Sequence, residues 1–234
     1  MEYNARLDLA FAYNILARFS FNEGICNHLT MLIPGTSYQF LCIPYGMLWS
    51  EVTPESLLLI DSDGTILKGT GEYEKTAFCI HKAIHLTNPE KNIVCLHTHQ
   101  LNATALCCLE NGRLEMCHQN CLRFYDDISY DDTFNGLVLD EDEGQRIANV
   151  INNKRVLFHT NHGIIINGQT MAQALDDIIY LEKACEVQIK AMSTGFRLKI
   201  IPDKIAQEFK RCFDKDGGYW AHKHFEALKR HYIK

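Results

Sequence analysis

The sequence contains no run of lysines or arginines, and its formal net charge is −6. Nucleic acid and anionic membranes require a concentrated basic face, so neither is expected as a principal partner. No stretch approaches the roughly 18 consecutive apolar residues of a membrane-spanning helix, so no span is expected. The opening MEYNARLDLAFAYNILARFS has no small-residue cleavage site and carries acidic and polar residues through its apolar part. It reads as an amphipathic helix, not as a signal peptide. No internal repeat, low-complexity tract or linker divides the chain. Its 234 residues, 47% hydrophobic and 22% charged, have an ordinary globular balance. One α/β domain over 1–234 can absorb that length, with a C-terminal arm from about residue 196.

No C-x-x-C pair occurs among the ten cysteines. Several lie inside apolar runs, Cys79 in AFCI, Cys95 in IVCL, and Cys107 and Cys108 in TALCCL, where free cysteine acts as a small buried hydrophobe. Cys117, His118 and Cys121 in CHQNC lack a second pair at zinc-site spacing. The cysteines point to a reducing, cytoplasmic setting and not to a disulfide framework.

What is present is periodicity that alternates between helix and strand. Leu7, Ala10, Phe11, Ile15 and Leu16 predict a first helix over 5–19. Two strands with a turn around 34–37 should follow, then a hairpin through Asp63-Gly64 in ESLLLIDSDGTILKG. Ala77, Ile80, His81 and Ile84 share one face of a helix over 74–87. NIVCLH is a short continuous apolar run, the mark of a strand buried on both faces, with a helix after it at about 100–109. The stretch 112–140 reads as irregular with short strands. EDEGQRIANVIN is a helix with acids in its first turn. KRVLFHTNHGIIINGQT is strand, turn, strand. A long helix from Thr170 to about Ser193 opens with a Thr170/Gln173 capping box and buries Ala174, Ile178, Leu181, Cys185, Ile189 and Met192. GYWAHKHFEALKRHYIK is a last helix or arm with exposed aromatics, whose three histidines are expected in solvent.

Side chains at i and i+2 of a strand point to one face, so His97 and His99 converge if the strand continues to residue 99. Two imidazoles at that spacing can both reach a zinc ion at about 2.0–2.1 Å. By itself the pair is weak evidence for a metal, and polar residues closing a strand are the plainer reading. A third donor is offered by FHTNHGIIING, where His162 lies at the turn before Gly163 and His159 within the strand. His81 and His85 are four apart on a helix, but Lys82 stands where a zinc protease needs glutamate, so they read as helix-face residues. The acid pairs Asp126-Asp127 and Asp131-Asp132 read as turn and surface residues.

FSFNEGICNHLTMLIPG, FLCIPYGMLWSEVTPESLLLIDSDG, IHKAIH, LHTHQLNATAL and NHGIIINGQTMAQALDDIIYLEKACEVQ occur in one order and at one spacing. Over roughly residues 5–195 the chain resembles the class II aldolase/adducin family. IPYG and LEKACEVQ bring it nearer the adducin-like branch. The resemblance implies a three-layer α/β/α fold with a mainly antiparallel central sheet, often assembled as a homotetramer. It implies a divalent metal, Zn2+ first, on His97, His99 and His162. It places the phosphate or carboxylate of a small-molecule substrate near His28 and Gly46. In the family's aldolases the metal is a Lewis acid for the hydroxyl and carbonyl of a small ketose.

Two positions depart from the family's aldolases. Their glutamate, fourth ligand and base, falls four residues before His81, where this chain has Ala77; Glu74 lies three further back on the same face. Their proton-donating tyrosine falls nineteen residues after His99, on His118, with Tyr125 and Tyr130 nearby. His118 and Tyr130 are the catalytic candidates. The resemblance therefore supports two expectations: a metal-dependent aldolase-type lyase for a small hydroxylated carbonyl or sugar phosphate, or a non-catalytic adducin-like domain that binds a protein partner and keeps a metal.

Overall fold

A computed structural model describes residues 1–36, 38–137 and 140–233 of the chain. Its elements, in order, are α1 (Glu2–Arg18), β1 (His28–Leu32), β2 (Phe40–Cys42), β3 (Leu58–Ile60), β4 (Ile66–Lys68), α2 (Lys75–Thr87), β5 (Val94–Thr98), α3 (Leu101–Cys107), β6 (Ile128–Asp131), α4 (Glu141–Ile151), β7 (Val156–His159), β8 (Gly163–Gly168), α5 (Met171–Met192) and α6 (Asp203–Tyr232). The strands form one sheet in the order β4-β3-β2-β1-β5-β8-β7-β6. Every neighbouring pair is antiparallel except β6 and β7, which α4 joins by the crossover that a parallel pair requires.

Alternation along the strands sorts side chains to two faces. Leu29, Val94, Leu96, Ile164 and Ile166 pack with α1, α3 and α5. Cys95, Leu157 and Ile165 pack with α2 and α4. Burying each such branched side chain contributes about 1.5–3 kcal/mol, so the pattern fixes which face each helix covers. The result is a three-layer α/β/α fold on a mainly antiparallel sheet, as the resemblance implied. No helix among the described residues is long and apolar enough to cross a membrane. All ten cysteines are free thiols.

Most expected elements form. The Asp63-Gly64 hairpin is β3–β4. The turn expected at 34–37 joins β1 to β2, with residue 37 outside the described residues. The stretch 112–140 holds a 3₁₀ turn, Gln119–Phe124, and β6; residues 138 and 139 lie outside the described residues. Thr170 Oγ1 accepts from Gln173 N at 3.2 Å, one half of the expected capping box. On α5 the stripe from Ala174 to Cys185 is buried and Ile189 half-buried, but Met192 is exposed. Leu7, expected on the apolar face of α1, is exposed as well.

Two contacts hold the start of β1. Tyr13 Oη on α1 accepts from Leu29 N at 2.8 Å and donates to Leu29 O at 2.6 Å. Trp49 Nε1 donates to Asn27 O at 3.1 Å. Between these anchors His28 is directed to the α2 face of the sheet, where β1 pairs it with His97 of β5.

Helix α6 buries Ala206, Phe213, Ala221 and Phe225. Arg123 ion-pairs with Asp176 and lies over the Tyr180 and Phe213 rings, 3.8 and 4.6 Å from their centroids. Of the terminal histidines expected in solvent, His222 and His231 are exposed. His224 is not free: its Nδ1 is 2.7 Å from Asp176 Oδ1, because the helix turns that residue toward α5.

Candidate metal centre

Strand β5 ends at Thr98, so His99 lies one residue past it. The chain nevertheless turns His99 back on His97. Thr98 Oγ1 donates to Gln100 Oε1 at 2.7 Å, and Gln100 Nε2 donates to Ile178 O of α5 at 3.2 Å. The next helix is capped across the layer by buried Glu182, whose carboxylate accepts from Asn102 N at 2.9 Å and Ala103 N at 3.0 Å. That acid within the LEKACEVQ helix is a structural residue that spacing alone did not single out.

His162 comes from the β7–β8 turn, which the end of α3 holds: Asn161 N donates to Cys107 O at 2.9 Å. Gly163 is required by close approach. A Cβ there would stand 2.5 Å from His99 Cδ2 and 2.6 Å from Thr98 O. The three rings consequently converge, with centroids 4.9 Å apart for His97–His99 and 4.8 Å for each of the other two pairs. One ring nitrogen from each lies within 4.8 Å of the others.

The polar surroundings of these rings suit a cation. His97 Nδ1 donates to Ile164 O at 3.0 Å, and His99 Nδ1 is 2.9 Å from Glu23 Oε2. A carbonyl or carboxylate on Nδ1 leaves a lone pair on Nε2, the arrangement usual behind metal-bound imidazoles. The two Nε2 atoms are 3.1 Å apart; with both Nδ1 protons so engaged, two lone pairs face each other and repel unless a cation lies beside them. His162 Nδ1 is buried without a hydrogen-bond partner among the described residues. Burial, with His162, His28 and His99 adding to it, pushes His97 well below the ordinary imidazole range. Burial, then His159 and His99, brings His162 down to about 3. Rings held neutral are what coordination needs. These residues fit a divalent transition metal.

The remaining predicted residues are dispersed around this cluster. His28 packs on His97 with centroids 4.9 Å apart and lines a cavity with Tyr45, Tyr73, Glu74 and Ala77. Gly46 carries φ +89° in the turn between Tyr45 and Met47. His118 precedes the 3₁₀ turn, with its Nδ1 buried and unpartnered among the described residues. Tyr130 Oη accepts from Leu114 N at 3.1 Å, with the Arg113 guanidinium 4.3 Å from its ring centroid. The rings that pack on the three histidines are His28, His159 and Phe134, not His118 or Tyr130. Glu74 does not reach the cluster as a base. Its carboxylate caps α2, accepting from Thr76 N at 3.0 Å and Ala77 N at 2.6 Å.

Burial overturns one expectation about polar residues, that of Asp131 at the surface, while His81 and His85 keep the helix-face position expected from the sequence. His81 and His85 are 0% and 1% exposed and face the sheet. The signal was available, since both share a helix face with Ala77, Ile80 and Ile84. Asp131 is no surface acid: it is 3% exposed, paired with Arg146, and 3.0 Å from His159 Nδ1. His159 in turn packs on His162 at 4.9 Å.

The sequence matches the Class II Aldolase and Adducin N-terminal domain over residues 7–189. The chain belongs to the class II aldolase/adducin family. An aldolase II superfamily protein from Pseudomonas syringae superposes with a TM-score of 0.90 at 29% identity, covering 98% of this chain and 92% of that one. An L-fuculose 1-phosphate aldolase from Glaciozyma antarctica PI12 superposes with a TM-score of 0.85 at 25% identity, covering 98% and 90%. An adducin-related protein of Schizosaccharomyces pombe is 32% identical over 83% of this chain and 61% of its own length. Within this class II aldolase/adducin chain, α6 lies beyond the matched residues.

Proposed function

We propose that the protein is a metal-dependent lyase of aldolase type, acting on a small hydroxylated carbonyl compound or sugar phosphate. The observation that carries the proposal is the convergence of three imidazoles, His97 buried and His99 and His162 half-buried, whose facing nitrogens have no other neutralising partner among the described residues. In this reading His97, His99 and His162 hold a divalent ion, Zn2+ first, because nitrogen donors suit it. Bound there, the ion supplies a Lewis acid for a neighbouring hydroxyl and carbonyl. The chain's own residues orient and bind. Ile164 O and Glu23 aim His97 and His99, while His28 and the Gly46 turn receive the substrate. His118 and Tyr130 are the candidate proton donors. His118 has an unpartnered ring nitrogen, whereas burial pushes the Tyr130 phenol up to about 12, so it gives up its proton less readily. Solved relatives that include an L-fuculose 1-phosphate aldolase support a small-molecule substrate. A cytoplasmic homotetramer of single-domain chains is part of the proposal.

A second reading, a non-catalytic interaction domain that retains the metal, is favoured by Ala77 at the position of the family's glutamate and by an adducin-related relative. One experiment separates the two. Purified protein should carry about one zinc-like ion per chain, lost in His97→Ala. Incubated with dihydroxyacetone phosphate and short aldehydes, or with sugar 1-phosphates in reverse, it should turn over and stop on chelation. Full metal content in His97→Ala would refute the ligand assignment. A silent panel with metal bound would favour the interaction domain.

A further inference from the structure

Behind the candidate metal centre, between β1 and α2, runs a chain of buried hydrogen bonds that the proposed lyase reading leaves unused. His85 Nδ1 approaches Asn92 O at 2.5 Å. His85 Nε2 lies 2.7 Å from Thr30 Oγ1, and Thr30 Oγ1 lies 2.6 Å from His81 Nδ1. His81 Nε2 lies 2.9 Å from His28 Nδ1. His28, Thr30, His81 and His85 are all between 0% and 5% exposed.

The direction of this chain follows from its last acceptor. A carbonyl oxygen can only accept, so the proton of His85 sits on Nδ1 and Nε2 keeps its lone pair. Thr30 has one proton and gives it to His85 Nε2, so Thr30 Oγ1 accepts from His81 Nδ1–H. His81 Nε2 is then an acceptor, and His28 must donate to it from Nδ1. The remaining nitrogen, His28 Nε2, carries a lone pair and has no hydrogen-bond partner among the described residues. All three rings are buried, which disfavours a charged imidazole and keeps them neutral.

We propose that this chain fixes His28 as a hydrogen-bond acceptor toward the cavity, so that the substrate group it recognises is a hydroxyl and not a phosphate or carboxylate oxygen. An anionic oxygen has only lone pairs to offer and would meet another lone pair at Nε2. A hydroxyl donates to it. The inference rests on the proposed function only in placing a substrate in this cavity. It refines the expectation of an anion near His28: any phosphate belongs elsewhere in the site. Thr30, His81 and His85 act through His28 and are positioning residues. Thr30 is the switch point. Without its hydroxyl, nothing compels His81 to hold its proton on Nδ1, and a shift to Nε2 makes it donate to His28 Nδ1, turning His28 Nε2 into a donor.

The test reads the histidine tautomers by 15N NMR in the metal-free and zinc-loaded full-length protein. It then titrates zinc-loaded protein with dihydroxyacetone and, separately, with methyl phosphate at about pH 8, where that ester has lost both acid protons and can only accept. Expected are Nδ1–H on His28, His81 and His85, with His28 Nε2 unprotonated and shifted by dihydroxyacetone more than by methyl phosphate. Thr30→Val should move the His28 proton to Nε2 and weaken dihydroxyacetone binding about tenfold, the loss of one hydrogen bond, while methyl phosphate binding does not weaken. Thr30→Ser should restore the wild-type tautomers and affinity, which a merely structural contribution of the methyl group would not do. An Nε2–H tautomer on wild-type His28 overturns the inference. So does methyl phosphate acting on His28 Nε2 more strongly than dihydroxyacetone, or no dihydroxyacetone effect there. If Thr30→Val does not fold, the wild-type and Thr30→Ser spectra and titrations still decide. A silent aldolase panel with the expected tautomers would count against the lyase reading alone. Active turnover with an Nε2–H tautomer would count against this inference alone.

Discussion

Glu23 carries the sharpest prediction at the level of single residues. Its carboxylate is 2.9 Å from His99 Nδ1, yet its side chain is 66% exposed. Removing it should therefore disturb the metal and spare the fold. Glu23→Ala is expected to weaken zinc binding about 10- to 100-fold, the usual effect of deleting the group behind a ligating imidazole. Stability should change by no more than about 0.5 kcal/mol, as for other exposed positions. Competition against a chromophoric chelator and a urea unfolding curve measure the two effects, and unchanged zinc affinity would show that His99 is not oriented by Glu23. His97 and His99 were legible from their spacing. Glu23 was not, because seventy-six positions separate it from His99 and only the β1–β5 pairing brings them together.

At the scale of elements, β6 is held at the sheet edge by charge as well as by its parallel ladder. Asp131 receives Arg146 of α4 through two bonds of 2.9 and 2.7 Å and stands beside His159 at the end of β7. Burial alone would raise its carboxyl, but His159 and Arg146 outweigh it and hold the group well below the usual carboxylate range. A carboxyl so depressed in the folded state stabilises the protein fully above its unfolded pKa of about 3.9. The contribution is lost as pH falls from there toward the folded value. Urea midpoints are thus expected to drop between about pH 5 and pH 2, and to drop less in Asp131→Asn, which should already be less stable at neutral pH. Equal slopes for the two proteins would remove Asp131 as a cause. The YDD sequence reads as surface because an acid's partner is invisible until α4 crosses over β6.

For the whole molecule, the open matter is whether α6, beyond the family match, unfolds with the rest. Its contacts argue that it does. Phe225 packs edge-on to Phe11 of α1 at 5.5 Å, and Lys229 pairs with Asp8 at 2.7 Å. Phe213 and His224 close over Arg123 and Asp176. Trp49 is buried near β1, and Trp220 lies half-exposed on α6, so two single-tryptophan variants, Trp49→Phe and Trp220→Phe, report on opposite parts of the chain. Cooperative unfolding of one domain requires the same midpoint by fluorescence in each variant and by circular dichroism, after allowance for the stability each substitution changes. An earlier, separate transition seen only through Trp220 would make the C-terminal helix an independent unit.

The sequence by itself determined the order of helices and strands, the two-sided burial of NIVCLH and the pairing of His97 with His99. Those features rest on local periodicity and on short spacings within one strand or turn, which neighbouring residues fix. Tertiary structure decided what lies behind them. Glu74 caps a helix instead of serving as a base because α2 begins one residue after it. His81 and His85, four apart on the apolar face of α2, are brought onto Thr30 of β1 by the packing of that helix on the sheet. Only that packing lines up hydroxyl, imidazole and carbonyl so that the tautomer of His28 follows, since a hydrogen bond's direction depends on partners that no linear spacing records.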